Sequence, residues 1–286
     1  MLRRYLYIIF VVIVLSVLIF LLRNFRQENK YEINSRISVA TTIVPYADII
    51  KNIGGEKIIV ETLIKPGQNP HSFEPMPEQI KRVSQSQIYF RVSSVLPIEN
   101  ALIPKIHEFN RTVKIIDLSA NVGIKNNDPH VWLSPKRMQL ISKTILDELV
   151  LIDKKNEEFY IKNYNGSVKK LKHEDSLLAE LLSTKKQKYF VVYHSAWQYF
   201  CDDYGLQEIA IEEEGKTPQM KQMKDKINLL KSLGAKAIFA DPQFDIMPAN
   251  TVASSIGAKV EFLNPLPHNY LENLKDIRKK LNASMK

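Results

Sequence analysis

Short apolar runs alternate with amphipathic helical patterns along most of this chain, and this alternation narrows its possible folds more than any other feature. The apolar runs have the length and the β-branched content of buried strands, and most of them are followed by a segment with helical spacing. Strands are therefore predicted at 37–43, 57–64, 87–92, 113–118, 189–193, 207–211, 237–240 and 260–263. Such alternation is typical of an α/β fold with parallel sheets.

The predicted strands form two groups, separated by a long stretch with helical periodicity. Residues 135–182 carry apolar side chains near helical spacing, such as Met138, Ile141 and Ile145, and contain few helix breakers. A chain of 286 residues also exceeds what one compact core usually holds. We therefore predict two β/α lobes joined by a single long helix. The expected division is a membrane segment at 1–22, a linker at 23–36, a first lobe at 37–134, the helix at 135–182 and a second lobe at 183–286.

Four side chains that can bind metal follow predicted strands. They are His71, His130, His194 and Asp245. Open α/β sheets bring the carboxyl ends of their strands to one edge, so residues far apart in sequence can meet there. We predict that these four side chains bind one divalent transition-metal ion in a crevice between the lobes. Asp241 lies close to Asp245, and either carboxylate could instead cap a turn or the following helix; Asp245 is the preferred ligand.

The remaining candidate ligands are predicted to have other roles. His268 follows a predicted strand and could face the same crevice, but a surface loop is the preferred interpretation. His107 and His173 fall in charged helical stretches and are expected to face solvent. Cys201 is the only cysteine, which excludes an intrachain disulfide, and its place in an amphipathic helix predicts burial as a small apolar residue.

Four motifs, in this order along the chain, carry a family resemblance. They are Pro70-His71-Ser72-Phe73-Glu74-Pro75, Asp128-Pro129-His130-Val131-Trp132-Leu133-Ser134-Pro135, Tyr193-His194-Ser195-Ala196-Trp197-Gln198-Tyr199-Phe200 and Phe239-Ala240-Asp241-Pro242-Gln243-Phe244-Asp245. From about Ile37 to its C-terminus the chain resembles the periplasmic metal-binding proteins of zinc and manganese ABC importers, a group that includes the zinc-uptake and treponemal metal-binding proteins. The resemblance implies that the three histidines are ligands and that Asp245 matches a position where many members have a carboxylate ligand. It also implies an extracytoplasmic carrier whose partners are an importer permease and its ATPase.

The predicted donor set favours binding over catalysis. Three imidazoles and one carboxylate fill a tetrahedral zinc shell, without the open water position of a hydrolytic site. We therefore predict a carrier that is not an enzyme, with Zn²⁺ favoured because imidazole suits zinc. Mn²⁺ or Fe²⁺ is the alternative, since residues 118–128 lack the histidine-rich loop of many zinc-uptake relatives. A membrane-anchored adhesion protein and, as the weakest alternative, a zinc hydrolase stay open.

The N-terminal segment predicts contact with a membrane. Residues 5–22 contain no charge, and Ser16 is their only clearly polar residue, so the run can cross most of a hydrocarbon core of about 30 Å. A cleavable signal peptide normally has a shorter apolar region and a small-residue cleavage motif, so an uncleaved anchor is preferred and a cleaved signal peptide is the alternative. No cysteine lies near this run, which excludes a lipid anchor at that point.

The charge distribution argues against a nucleic-acid partner. The net charge is +9, but the lysines are spread along predicted helices without interleaved aromatic residues. Solvated helix faces account for these lysines better than a nucleic-acid interface does. The expected form is a monomer that binds no nucleic acid.

Overall fold

A computed structural model describes residues 15, 17–20, 36–212 and 220–285 of the chain. Its contacts divide the chain into an N-terminal unit, Met1–Ile37, and a main unit, Ser38–Lys286. Residues 17–20 of the N-terminal unit are helical. Within the described ranges, no helix has both the length and the apolar character needed to cross a bilayer. The membrane segment predicted at residues 5–22 lies mostly outside the described residues.

The first lobe is a sheet with strand order β2-β1-β3-β4. Its elements are β1 (Ile37–Thr41), α1 (Val44–Gly54), β2 (Ile58–Thr62), α2 (Pro77–Ser84), β3 (Ile88–Arg91), α3 (Pro97–Phe109) and β4 (Lys114–Asp117). Strand β3 runs parallel to both β1 and β4. A core of buried apolar residues, including Ala40, Tyr89 and Leu102, lies under the helices. Each of these strands falls within one of the predicted apolar runs.

Two helices follow the first lobe, α4 (Pro135–Ile152) and α5 (Glu157–Thr184), with a 3₁₀ turn at Lys154–Asn156 between them. The stretch predicted as one helix over 135–182 is therefore divided. Asp153 has a non-helical backbone (φ −138°, ψ 63°), and its Oδ2 accepts hydrogen bonds from Asn156 Nδ2 (2.6 Å) and the Tyr160 hydroxyl (2.7 Å). The apolar periodicity continues through this break because α4 and α5 pack against each other and each buries one face.

The second lobe repeats the architecture of the first, with strand order β6-β5-β7-β8 and parallel pairing throughout. Its elements are β5 (Tyr189–His194), α6 (Gln198–Tyr204), β6 (Gln207–Glu212), α7 (Met220–Ser232), β7 (Ala237–Ala240), α8 (Met247–Ile256), β8 (Lys259–Phe262) and α9 (Tyr270–Ser284). Helix α5 packs against α1 of the first lobe and α9 of the second. The predicted fold class, two parallel α/β lobes linked by a long helix, is confirmed, with α5 as that helix.

Buried hydrogen bonds join the two lobes next to the strand ends. Trp132 Nε1 donates to the carbonyl oxygen of Pro265 at 2.8 Å, and the Tyr270 hydroxyl donates to the carbonyl oxygen of Trp132 at 2.7 Å. Arg137 and Asp203 form an ion pair at 2.9 Å across the same junction. In each sheet the strand order reverses between two neighbouring strands, which are β1 and β3 in the first lobe and β5 and β7 in the second. Ligands of open α/β sheets bind at the carboxyl ends of such strands.

Candidate metal centre

Three histidines from three different segments meet at the junction of the lobes. His71 lies in the loop between β2 and α2, His130 between β4 and α4, and His194 is the last residue of β5. One ring nitrogen from each lies within 4.8 Å of the other two, and His71 Nε2 is 3.2 Å from His194 Nε2. The ligand atoms of a tetrahedral ion with bonds near 2.0–2.1 Å lie about 3.4 Å apart. The three rings could therefore bind one ion after small adjustments.

Local sequence holds the His71 loop in place. Gly67 adopts a left-handed conformation (φ 85°) that glycine tolerates best, and Asn69 Oδ1 accepts a hydrogen bond from the His71 N–H at 2.9 Å. His71 is the most exposed of the three histidines, but its ring faces the other two. Burial, followed by the neighbouring His130 and His194, lowers the pKa of His71 to about 3. This imidazole is therefore neutral, as a metal ligand has to be, across the physiological range.

Carboxylates orient the other two rings. His130 Nδ1 lies 2.6 Å from Asp128 Oδ1, and His194 Nδ1 lies 2.7 Å from Glu212 Oε2. A carboxylate bound to one ring nitrogen fixes the tautomer and leaves Nε2 available to an ion. Neither carboxylate was predicted from the sequence as a partner of a histidine. The position of Asp128, two residues before His130, was a usable signal, whereas Glu212 is found only through its strand register opposite His194.

Six apolar side chains form much of the rest of the pocket lining, beside the polar residues Asn69, Asp241 and Gln243. The apolar residues are Leu96, Trp132, Ala196, Phe244, Pro265 and Leu266. The Phe244 ring lies 4.6 Å from the His194 ring, and the Trp132 ring lies 5.1 Å from the His130 ring, centroid to centroid. An apolar wall excludes water and lowers the local dielectric, which strengthens the attraction between an ion and its ligands.

The two aspartates after β7 have different environments. Asp245 is exposed, and its Oδ1 accepts the Met247 N–H at 3.0 Å at the start of α8, so the structure does not bring it into the histidine cluster. Asp241 is buried and lines the pocket. Burial raises the pKa of Asp241 to about 7, and the nearby His194 partly opposes that rise. A hydrogen bond to the first N–H of α8 therefore accounts for Asp245, whereas Asp241 is the carboxylate that lines the pocket.

The other candidates lie outside this centre. His268 and His173 are exposed, and His107 is partly buried on α3. The predicted burial of Cys201 is confirmed, and burial raises the pKa of its thiol well above the usual value, so the thiol is protonated and unreactive. Among the described residues, the group formed by His71, His130 and His194 is the one assembled like a metal site.

Comparisons with known proteins match both lobes. A family model described as zinc-uptake complex component A, periplasmic, matches residues 39–284. The metal ABC transporter substrate-binding lipoprotein FimA of Streptococcus parasanguinis is 30% identical over 243 residues, which are 77% of each chain. The manganese ABC transporter substrate-binding lipoprotein PsaA of Streptococcus pneumoniae is 29% identical over 240 residues, 77% of this chain and 76% of that protein. A crystal structure of ZnuA superposes with a TM-score of 0.82 at 30% identity, covering 87% of this chain and 99% of that one.

Proposed function

The chain belongs to the zinc-uptake complex component A family of periplasmic proteins, and we propose that it binds one metal ion and delivers it to an importer. It is a substrate-binding component of a metal ABC importer and not an enzyme. Its cargo is a divalent transition-metal ion, which it passes unchanged to the importer permease, with the importer ATPase as the energy source. Zn²⁺ is the proposed ion.

The convergence of three imidazoles from three separate segments carries this proposal. His71, His130 and His194 are the proposed ligands, each through one ring nitrogen. Further support comes from the carboxylates Asp128 and Glu212, because metal-binding histidines usually have such a partner on the second ring nitrogen. The side chain of Asp245 accepts a hydrogen bond from the Met247 N–H, so we do not include Asp245 among the proposed ligands.

The donor set supports zinc over manganese. Three neutral nitrogen ligands suit Zn²⁺, whereas Mn²⁺ prefers more oxygen donors. The relatives divide, since the matching family is named for zinc uptake and PsaA is named for manganese. The metal proposal therefore depends on the ligands of this chain, and Mn²⁺ or Fe²⁺ is its alternative.

We further propose that the protein works outside the cytoplasm as a monomer held to the membrane by residues 5–22. FimA and PsaA are named lipoproteins. In this chain the only cysteine is Cys201, which is buried in α6, so the apolar run and not a lipidated cysteine is the proposed anchor. Cleavage of the run as a signal peptide is the alternative.

Metal titration of the full-length protein in detergent tests the ligand assignment. Each of His71→Ala, His130→Ala and His194→Ala should weaken zinc binding at least tenfold, about 1.4 kcal/mol, since one of the metal–nitrogen bonds is lost. The exposed His268→Ala is the matched control and should bind zinc as the wild type does. Wild-type affinity in any two of the three variants would remove those residues from the site. Competition between Zn²⁺ and Mn²⁺ tests the metal preference in the same samples.

A further inference from the structure

A strained turn precedes the segment that carries His130. Asn126 and Asn127 adopt the left-handed conformation, with φ of 51° and 57°, and no other non-glycine residue in the described part of the chain has a positive φ. Asparagine tolerates this conformation better than most residues, but two in succession still cost free energy. The Asp128 N–H closes the turn by donating to the carbonyl oxygen of Lys125 at 2.9 Å. Such a conformation persists when the surrounding structure holds it in place.

One hydroxyl group of the second lobe binds both ends of this turn. Tyr199 on α6 is buried, and its hydroxyl accepts the Lys125 N–H at 2.9 Å and donates to the carbonyl oxygen of Asp128 at 2.7 Å. Burial raises the pKa of Tyr199, so the hydroxyl keeps the proton that it donates. The Lys125 ammonium also lies 2.7 Å from Asp202 Oδ2, but this ion pair is exposed and contributes little. The buried tyrosine is therefore the main contact that holds the turn.

Asp128 connects the turn to the metal centre. Its Oδ1 lies 2.9 Å from the backbone nitrogen of His130 and 2.6 Å from Nδ1 of the same residue. The second lobe thus holds the backbone of Asp128, while the side chain of Asp128 orients the His130 ring. His194 ends the strand that leads into α6, the helix of Tyr199. One short segment of the second lobe therefore supplies one proposed ligand and supports another in the first lobe.

We infer that Tyr199 is a positioning residue of the metal centre, because its hydroxyl holds the left-handed turn in the conformation that presents the His130 ring to the ion. This inference depends on the proposed function, since it concerns the same ion and the same histidines. Without the hydroxyl, the turn relaxes and the carboxylate of Asp128 moves with its backbone. The His130 ring then loses its fixed orientation before the ion arrives. Metal affinity therefore depends on a tyrosine that does not touch the ion.

Tyr199→Phe in the full-length protein in detergent removes the hydroxyl and keeps the ring. We expect zinc affinity to fall about tenfold, the lower end of the range for groups that orient a metal-binding histidine. Tyr204→Phe is the matched control, since this hydroxyl lies on the same helix but donates to Asp175 Oδ1 at 2.8 Å. It should leave zinc affinity close to that of wild type. A zinc affinity of Tyr199→Phe equal to that of Tyr204→Phe would overturn the inference.

Double variants separate positioning from a general loss of structure. If Tyr199 acts through Asp128, the losses of zinc affinity in Tyr199→Phe and Asp128→Ala should not add, because the second change removes the group that the first displaces. The loss in Tyr199→Phe should add to that in Glu212→Gln, which alters the partner of His194 instead. Additive losses with Asp128→Ala, or non-additive losses with Glu212→Gln, would mean that Tyr199 acts by another route and would overturn the inference.

Substitutions of Asn127 alter the turn from the first lobe and leave α6 intact. The side chain of Asn127 is exposed, so its replacement removes no core contact. Asn127→Ala makes the left-handed conformation more costly and should weaken zinc binding, whereas Asn127→Gly permits that conformation and should weaken zinc binding less. This pair is the test if Tyr199→Phe does not fold, and equal zinc affinities in the two variants would then overturn the inference.

The outcomes separate this inference from the proposed function. Unchanged zinc affinity in Tyr199→Phe, with zinc binding still lost in His71→Ala, would overturn the role of Tyr199 alone. A wild-type protein that does not bind Zn²⁺ would overturn the proposed function, and the inference with it.

Discussion

Replacement of Glu212 by glutamine should weaken zinc binding without weakening the metal-free fold. Glu212 is 2% exposed, and its Oε2 lies 2.7 Å from His194 Nδ1. Glutamine has nearly the same volume, and its carbonyl oxygen can still accept that hydrogen bond, so the substitution removes the charge and puts an amide NH2 group in place of Oε1. Removal of such a partner of a metal-binding histidine typically lowers affinity ten- to a hundredfold, about 1.4–2.7 kcal/mol.

The fold of the metal-free protein should respond differently. Glu212 Oε1 is buried and has no hydrogen-bond partner among the described residues, and a buried charge that is incompletely paired is costly. Glu212→Gln should therefore leave the free energy of unfolding without zinc unchanged or slightly higher.

Two measurements separate a role in binding from a role in folding. Zinc affinity is measured by competition with a chromophoric chelator, and stability by urea unfolding without metal. Glu261→Gln, the same change on strand β8 outside the pocket lining, is the control and should alter neither quantity by much. Zinc affinity within twofold of wild type, or a loss of metal-free stability as large as the loss of binding energy, would refute the reasoning.

Three further predictions concern acidity and metal choice. Protons compete with the ion for imidazole nitrogens, so zinc affinity should be lower at pH 5.5 than at pH 7.5. Because burial lowers the pKa of His71 to about 3, His71 should not contribute to this pH dependence. A steeper fall of zinc affinity with acidity in wild type than in His71→Ala would contradict that pKa. His194→Glu should reduce the ratio of zinc to manganese affinity, since an oxygen donor replaces a nitrogen, and competitive titration showing an unchanged or larger ratio would remove the main support for zinc. Burial raises the pKa of Glu99 to about 7, above its unfolded value near 4.5, so its contribution to stability is present below pH 4.5 and is lost as the pH rises through 7. Between pH 4.5 and pH 8, the free energy of unfolding of wild type should therefore fall by up to about 3 kcal/mol more than that of Glu99→Gln. Urea unfolding of both proteins across this range measures the difference, and parallel pH profiles of their unfolding free energies would refute the prediction.

Local patterns in the sequence were sufficient to predict the two lobes and to single out the three histidines as candidate ligands. An apolar run followed by helical periodicity is a property of neighbouring residues, so strands such as β5 and β7 could be predicted without knowledge of their partners. The same holds for the loop with Gly67 ahead of His71, whose conformation depends on residues within a few positions. The positions of His71 and His194 after strands also followed from the sequence, but the two residues belong to different sheets, so their meeting depends on how the lobes pack.

Which side chains contact one another in the site depends on the tertiary structure. Asp241 and Asp245 lie in one loop, but the pairing of β7 with β5 places Asp241 in the pocket lining, while the side chain of Asp245 accepts a hydrogen bond from the first N–H of α8. Glu212 follows the same rule, because its contact with His194 depends on the pairing of β6 with β5. The break between the two helices at Asp153 was not visible in the sequence either. The apolar periodicity continues across it, because α4 and α5 pack face to face. Apolar periodicity indicates which side of a helix or strand is buried, whereas the packing between elements determines which residues that side contacts.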